Sequence, residues 1–408
     1  MSDTAEAETT PELPSFPMER TCPFSPPPAY AELRANEPVS KVKMALSGRE
    51  VWVATTHEDV REVLSSPSTS SSVKLPGYPL QFPVPDEVLQ TMELPLVAMD
   101  GEEHAVRRRA LIPELSFKRM QALRPRIQEV VDEHIDAMLA KGGPLDLVEA
   151  LAIPVPSLLF CELMGVPLEE TDTFRAFAET TVKSDVTPEE VGAATQQMDV
   201  YLDKLVTEKA ENNTDDLLGR IIARNSKSGT LKQGDIVALG RMLLFGGFDT
   251  ITNMIALGVT TLLAHPEQLA EIKADPSLTP NAIEELLRYL SIADSATGRV
   301  ALADMELSGV TIRAGEGIIA LNGSANRDGN VFDDPDTFDI HREIKVHSAF
   351  GHGSHQCPGA SLVRVELEIV FDTLFRRIPE LRLAVPQDEL PFKSHTMIYG
   401  MHALPITW

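Results

Sequence analysis

Beyond residue 100 apolar side chains recur mostly at helical spacing, while strict alternation is confined to short pieces. After Thr279-Pro280, Ile283, Leu286, Leu287 and Leu290 keep the i, i+3, i+4, i+7 rule of an amphipathic helix. Thr187-Pro188-Glu189-Glu190 combines a capping threonine, a proline in the first turn and a glutamate placed to cap in return, which predicts a helix running towards Asn212. From Asp235 to His265 the chain is apolar almost all round, the pattern of a central helix buried on most faces. Val39 to Met44 and Glu50 to Ala54 alternate as a hairpin does, with Gly48 between them. Strand-like pieces recur from Gly298 to Ile319 and near the C-terminus. These elements predict a mainly α (α+β) fold, a large helical domain with small β-sheets.

The remaining segments are irregular. Residues 1–14 are acidic and poor in apolar side chains, which predicts a disordered tail. The proline-rich run from Phe16 to Pro28 is expected to wrap as an extended arm, because proline removes backbone donors and fixes φ. From about Ser65 to Met99 a long, little-patterned loop is expected, of the kind that serves a binding site. No interior linker or charge block divides the rest, so residues 15–408 are expected to form one domain.

Composition narrows the partners. The 36 Lys and Arg stand against 61 Asp and Glu, a formal charge of -25 that repels nucleic acid and anionic lipid. Cys22, Cys161 and Cys357 lie too far apart to form a disulfide framework, which fits a reducing cytoplasm. Neither a signal peptide nor an apolar stretch long enough to span a bilayer is expected.

Two stretches carry candidate chemistry. In Phe350-Gly-His-Gly-Ser-His-Gln-Cys357-Pro-Gly359, a cysteine precedes a helical pattern starting near Ala360. Glycines at 351, 353 and 359 would let a flat macrocycle approach the backbone, and a helix start beside the sulfur favours thiolate over thiol. A thiolate on haem iron promotes O–O cleavage. Taken alone, the loop is also compatible with zinc held by His352, His355 and Cys357, with a cysteine nucleophile, or with a structural glycine-rich turn. The second stretch is Phe245-Gly246-Gly247-Phe248-Asp249-Thr250, inside the central helical pattern. Each glycine costs about 1 kcal/mol against alanine within a helix, a cost that a large flat ligand pressed on the backbone would offset. Thr250 is expected to bond back to the carbonyl of Gly246, locally opening the helix, with Asp249 and Thr250 holding water and delivering protons. A kinked helix with a satisfied acid is the plainer alternative.

Together with Glu285-x-x-Arg288, these stretches stand in an order that resembles the cytochrome P-450 family, over nearly the whole chain from Phe16 to Trp408. Supporting matches are Asp100-Gly-Glu-Glu-His104-x-x-x-Arg108 and Phe332-Asp-Asp-Pro335-Asp-Thr-Phe338-Asp-Ile-His-Arg342, and the opening Phe-Pro-x-x-Arg-x-Cys-Pro-Phe is similar to soluble bacterial, especially actinobacterial, members. The chain departs from the family at Gly101, Gly246 and Val363, none of which removes a chemical group. The resemblance implies a haem-thiolate monooxygenase using haem b and O2, with Cys357 as iron ligand. It implies that His104, Arg108, Arg299 and His355 bind the haem propionates, and that Gly246, Phe350 and Gly359 lie against the macrocycle. Asp249 and Thr250 would be catalytic, and Glu285, Arg288 and Arg342 a buried structural network.

Substrate would be a lipophilic small molecule, contacted by Leu94, Val97, Leu243, Gly247, Ile292, Met397 and Ile398, with hydroxylation of a natural product or xenobiotic as the expected reaction. No flavin or nicotinamide fingerprint is present, so electrons are expected from an external ferredoxin or flavodoxin docking near Arg107, Arg109, Lys345 and Arg364. A cytoplasmic monomer without nucleic-acid or membrane partners is expected. A haem-binding sensor or carrier without turnover is the alternative.

Overall fold

The computed structural model describes the chain except residues 1–12, 168–169, 171–173, 175–186, 295, 344–345 and 394–397, and except the side chains at 188, 189, 191 and 245. Nearly all of the expected acidic tail therefore lies outside the described residues. Among the described residues helices dominate three small sheets.

The expected hairpin forms: Val39–Met44 pairs antiparallel with Glu50–Ala54, placing Val42 opposite Val51. Ser15–Phe16 adds a short parallel edge strand, so the proline-rich arm begins as sheet, and Pro28 already belongs to the helix Pro28–Asn36. Gly317–Ala320, Gly298–Ala301 and Thr69–Ser70 complete six strands. Phe16, Val42, Val51, Val53 and Ile319 fill a separate small core there.

Thr187 caps the helix Pro188–Asn212 as its sequence predicts, its side chain accepting the Glu190 amide while the Glu190 carboxylate accepts the Thr187 amide. The central helix Gln233–Ala264 runs uninterrupted through the glycine pair, without the opening expected there, and packs among the helices Pro154–Met164, Pro188–Asn212 and Ala360–Arg377. By length and composition it could cross a bilayer, which corrects the expectation that no stretch reaches that length. However, 71% of its most apolar window is buried in the protein. An apolar pattern on every face suits a core helix as well as a membrane span, and periodicity does not separate them. The stretch expected as one long loop holds Thr69–Ser70, the helix Asp86–Thr91 and a turn at Leu96–Ala98.

Candidate functional site

Cys357 sits in a loop closed by its own backbone: its amide donates to the Phe350 carbonyl at 2.8 Å, and the Gly351 amide donates to Ser348 at 2.8 Å. Gly353 has φ +73, and a Cβ there would lie 2.6 Å from the Leu64 carbonyl oxygen. This glycine is required by the neighbouring helix His57–Ser65, not by a macrocycle. The Arg364 guanidinium lies 4.7 Å from the Phe350 ring centroid and binds Glu284, which also contacts His347 Nε2 at 3.1 Å. Burial pushes the Cys357 thiol up, while the amides of Gly359 and Ala360 and the cations of Arg108 and Arg364 pull it down. Of these influences burial is the largest.

The loop is braced from below by fully buried charges. Arg288 uses all five of its N–H groups, two on the Glu285 carboxylate at 2.7 and 2.8 Å and three on the carbonyls of Asn326, Pro335 and Thr337. Arg342 Nε and the Asp339 amide also reach Glu285. The spacing alone would pass for a solvated surface pair, yet Glu285 and Arg288 are both 0% exposed.

His104 is buried, and its Nε2 has no hydrogen-bond partner among the described residues. Its ring stacks on His355 at 4.1 Å, and burial, followed by the nearby His355 and Arg108, lowers its pKa to about 4. Arg299 is buried as well, and among the described residues its guanidinium donates to its neighbour's carbonyl at Gly298 alone. Arg108 donates to the Gln356 carbonyl, immediately before the cysteine. His355 lies 3.3 Å from Ser71 Oγ and 3.5 Å from Asp100 Oδ1. Burial acts to raise the Asp100 carboxyl, but bonds from His355, Ser70 and Ser71 outweigh it and hold it well below the usual range.

On the central helix Thr250 Oγ1 donates to the Gly246 carbonyl at 2.8 Å, as expected. Gly246 is exposed midway along a core helix, with no described residue within 4 Å of the place a Cβ would occupy. At Gly247 a Cβ would lie 1.9 Å from Phe160 Cζ, so its missing side chain is required by packing against Phe160. The Asp249 carboxylate accepts from Asn253 and from Lys393, each at 2.9 Å. Lys393 escaped the sequence reading, because it heads the polar run Lys393-Ser394-His395-Thr396 and its partner lies 144 positions away. Leu243 and Ile292 are buried, Leu94 and Ile398 half-buried, Val97 62% exposed; Met397 lies outside the described residues.

Of the expected docking cations, Arg107 is corrected: it is 9% exposed and engaged by Glu103 and Asp235, since the helix carrying it turns that face onto the central helix. Arg109 and Arg364 are more open, paired with Glu102 and Glu284, and Lys345 lies outside the described residues. No group of three or more His, Cys, Asp or Glu poised for a metal occurs among the described residues, so His352, His355 and Cys357 do not converge as zinc ligands.

The donor set fits an iron porphyrin with acidic side groups. A soft sulfur ligand, an unpartnered imidazole N, an under-used buried guanidinium and an open glycine face are the groups such a ligand would occupy. Comparison with known proteins agrees. The family model described as Cytochrome P450 (here P-450) matches residues 187–408. Pentalenic acid synthase of Streptomyces avermitilis is 46% identical, covering 97% of each chain, and vitamin D3 dihydroxylase of Streptomyces griseolus is 42% identical over 100% of each. The crystal structure of MoxA from Nonomuraea recticatena superposes with a TM-score of 0.90 at 48% identity, covering 97% of this chain and 98% of that one. The chain belongs to the cytochrome P-450 family, whose members are haem-dependent monooxygenases.

Proposed function

We propose that this P-450 hydroxylates a lipophilic natural product or xenobiotic, taking electrons from an external ferredoxin or flavodoxin. The observation that carries the reading is the helix wall at 243–255, where an acid and an alcohol stand among apolar side chains beside the open face of Gly246. Such a wall suits a lipophilic substrate and a controlled proton supply. The names of two relatives, pentalenic acid synthase and vitamin D3 dihydroxylase, point the same way.

In this reading Cys357 holds the iron, Gly246, Phe350 and Gly359 flank the macrocycle, and His104, Arg108 and Arg299 neutralise the propionates, with His355 acting beside them against Asp100. When bound, thiolate-ligated haem supplies the activation of O2. The Thr250 hydroxyl hydrogen is committed to the Gly246 carbonyl, so its lone pairs are presented to a water, and Asp249 relays protons from solvent to that water. Leu94, Val97, Leu243, Ile292, Met397 and Ile398 make the substrate wall, while Arg109 and Arg364 offer charge to an acidic electron carrier. The protein works as a cytoplasmic monomer, without nucleic-acid or membrane partners.

Screening lipophilic compounds for a low-spin to high-spin shift, then running hits under labelled dioxygen, tests this. One labelled oxygen atom in the product is expected. Bound compounds that return unlabelled or unchanged sink the proposal.

A further inference from the structure

The C-terminal segment brings a basic side chain into a wall that is otherwise apolar. We infer that Lys393 is a positioning residue for the acid at 249: it anchors the Asp249 carboxylate through one oxygen and leaves the other free of protein donors for proton relay. This rests on the proposed role of Asp249 and Thr250 in proton supply.

Lys393 Nζ and Asn253 Nδ2 both converge on Asp249 Oδ1 at 2.9 Å, and no described residue bonds Oδ2. The lysine and aspartate side chains are 7% and 14% exposed. At that burial neither charge is stable alone, and a carboxylate stripped of its cation takes up a proton instead. A lysine ammonium is a compact point charge that can engage one oxygen without the fork of an arginine claiming both.

The lysine is itself held in place. Its amide donates to the Gly400 carbonyl at 2.8 Å, and the Met401 amide donates to Asn253 Oδ1 at 3.3 Å. A Cβ at Gly400 would lie 1.8 Å from that same oxygen. Asn253 therefore grips the acid with its amide nitrogen and the C-terminal segment with its carbonyl oxygen. Ile398, in the proposed substrate wall, belongs to that segment, so the acid and the substrate contact share one support.

The test uses the haem-loaded protein and four variants. In Lys393→Met, infrared difference spectra at neutral pH are expected to gain a protonated-carboxyl band that is absent from the native protein and from Lys393→Met/Asp249→Asn. Lys393→Arg is expected to suppress that band, and the share of electrons released as hydrogen peroxide is expected to rise several-fold in Lys393→Met. In thermal unfolding the double variant, which carries no lone charge, is expected to be more stable than Lys393→Met. No new band, strictly additive unfolding losses, or an arginine variant that behaves like methionine overturns the inference. Native coupling in Lys393→Met beside impaired coupling in Asp249→Asn overturns it alone. Native coupling in Asp249→Asn instead removes the proton-supply reading, and the inference with it.

Discussion

Arg288 donates to the backbone carbonyl of Asn326 at 2.7 Å, and the Asn326 side chain accepts the Ser348 amide at 2.7 Å, which links a fully buried ion pair to the base of the cysteine loop. The pair and the ligand loop are thus one mechanical unit. Removing either charge strands the other in the interior, which typically costs about 3–5 kcal/mol. Glu285→Ala and Arg288→Ala are expected to yield little haem-loaded protein and a sharply lowered Tm. A full complement of haem in either variant contradicts this coupling.

Cys357→Ser is expected to lose the red-shifted Soret band of the carbonyl-ferrous state, because that band depends on thiolate donation to iron. The reading is made on reduced, carbonyl-treated protein. An unchanged band removes Cys357 as ligand.

Thr250→Ala deletes the hydroxyl that donates to the Gly246 carbonyl and that is proposed to hold a water. Haem and substrate spectra are expected to persist while reducing equivalents divert to peroxide, the proton-supplying water having lost its partner. Product and peroxide measured per electron pair consumed decide the matter. Tight coupling in the variant would exclude the hydroxyl from proton supply.

Gly247→Ala is expected to destabilise the fold, because the new methyl group meets the Phe160 ring, and overpacking of this kind costs roughly 1–3 kcal/mol. Phe160→Leu in the same chain is expected to recover part of the loss. Comparison of Tm across the single and double variants measures it, and additive effects would show that the two positions do not touch.

Glu366 is wholly buried, neither carboxylate oxygen has a hydrogen-bond partner among the described residues, and burial pushes its pKa up to about 8 from an ordinary 4.5. Between those values the folded chain keeps a proton that the unfolded chain has lost, so this group lowers stability as pH rises through the window and adds no further slope outside it. Glu366→Gln is expected to flatten the fall in Tm between about pH 4.5 and 8. An identical pH profile in the variant would mean that the acid is not buried uncompensated.

Local signals in the chain were legible to the residue. The capping box at Thr187, the hairpin pairing Val42 with Val51 and the back-bond from Thr250 to Gly246 each depend on groups a few positions apart, or on an alternation that any strand pair must respect. The cysteine loop stood out too, but taken alone it left zinc, a nucleophile and a plain turn open, and only its order with the other motifs carried the family resemblance. Misreadings arose wherever a residue's meaning depended on something distant. Arg107 looked like a surface cation until Asp235, 128 positions away, received it, and the need for glycine at 247 is explained by Phe160, 87 positions away.

By itself the sequence determined the helical class and the family, because periodicity, capping and motif order are properties written along the chain. Which charges are buried, which glycine serves packing, and which lysine steadies Asp249 were decided by tertiary structure alone. Burial and pairing are relations between segments that meet only in space, and the free energy of a charge depends on the surroundings those segments create.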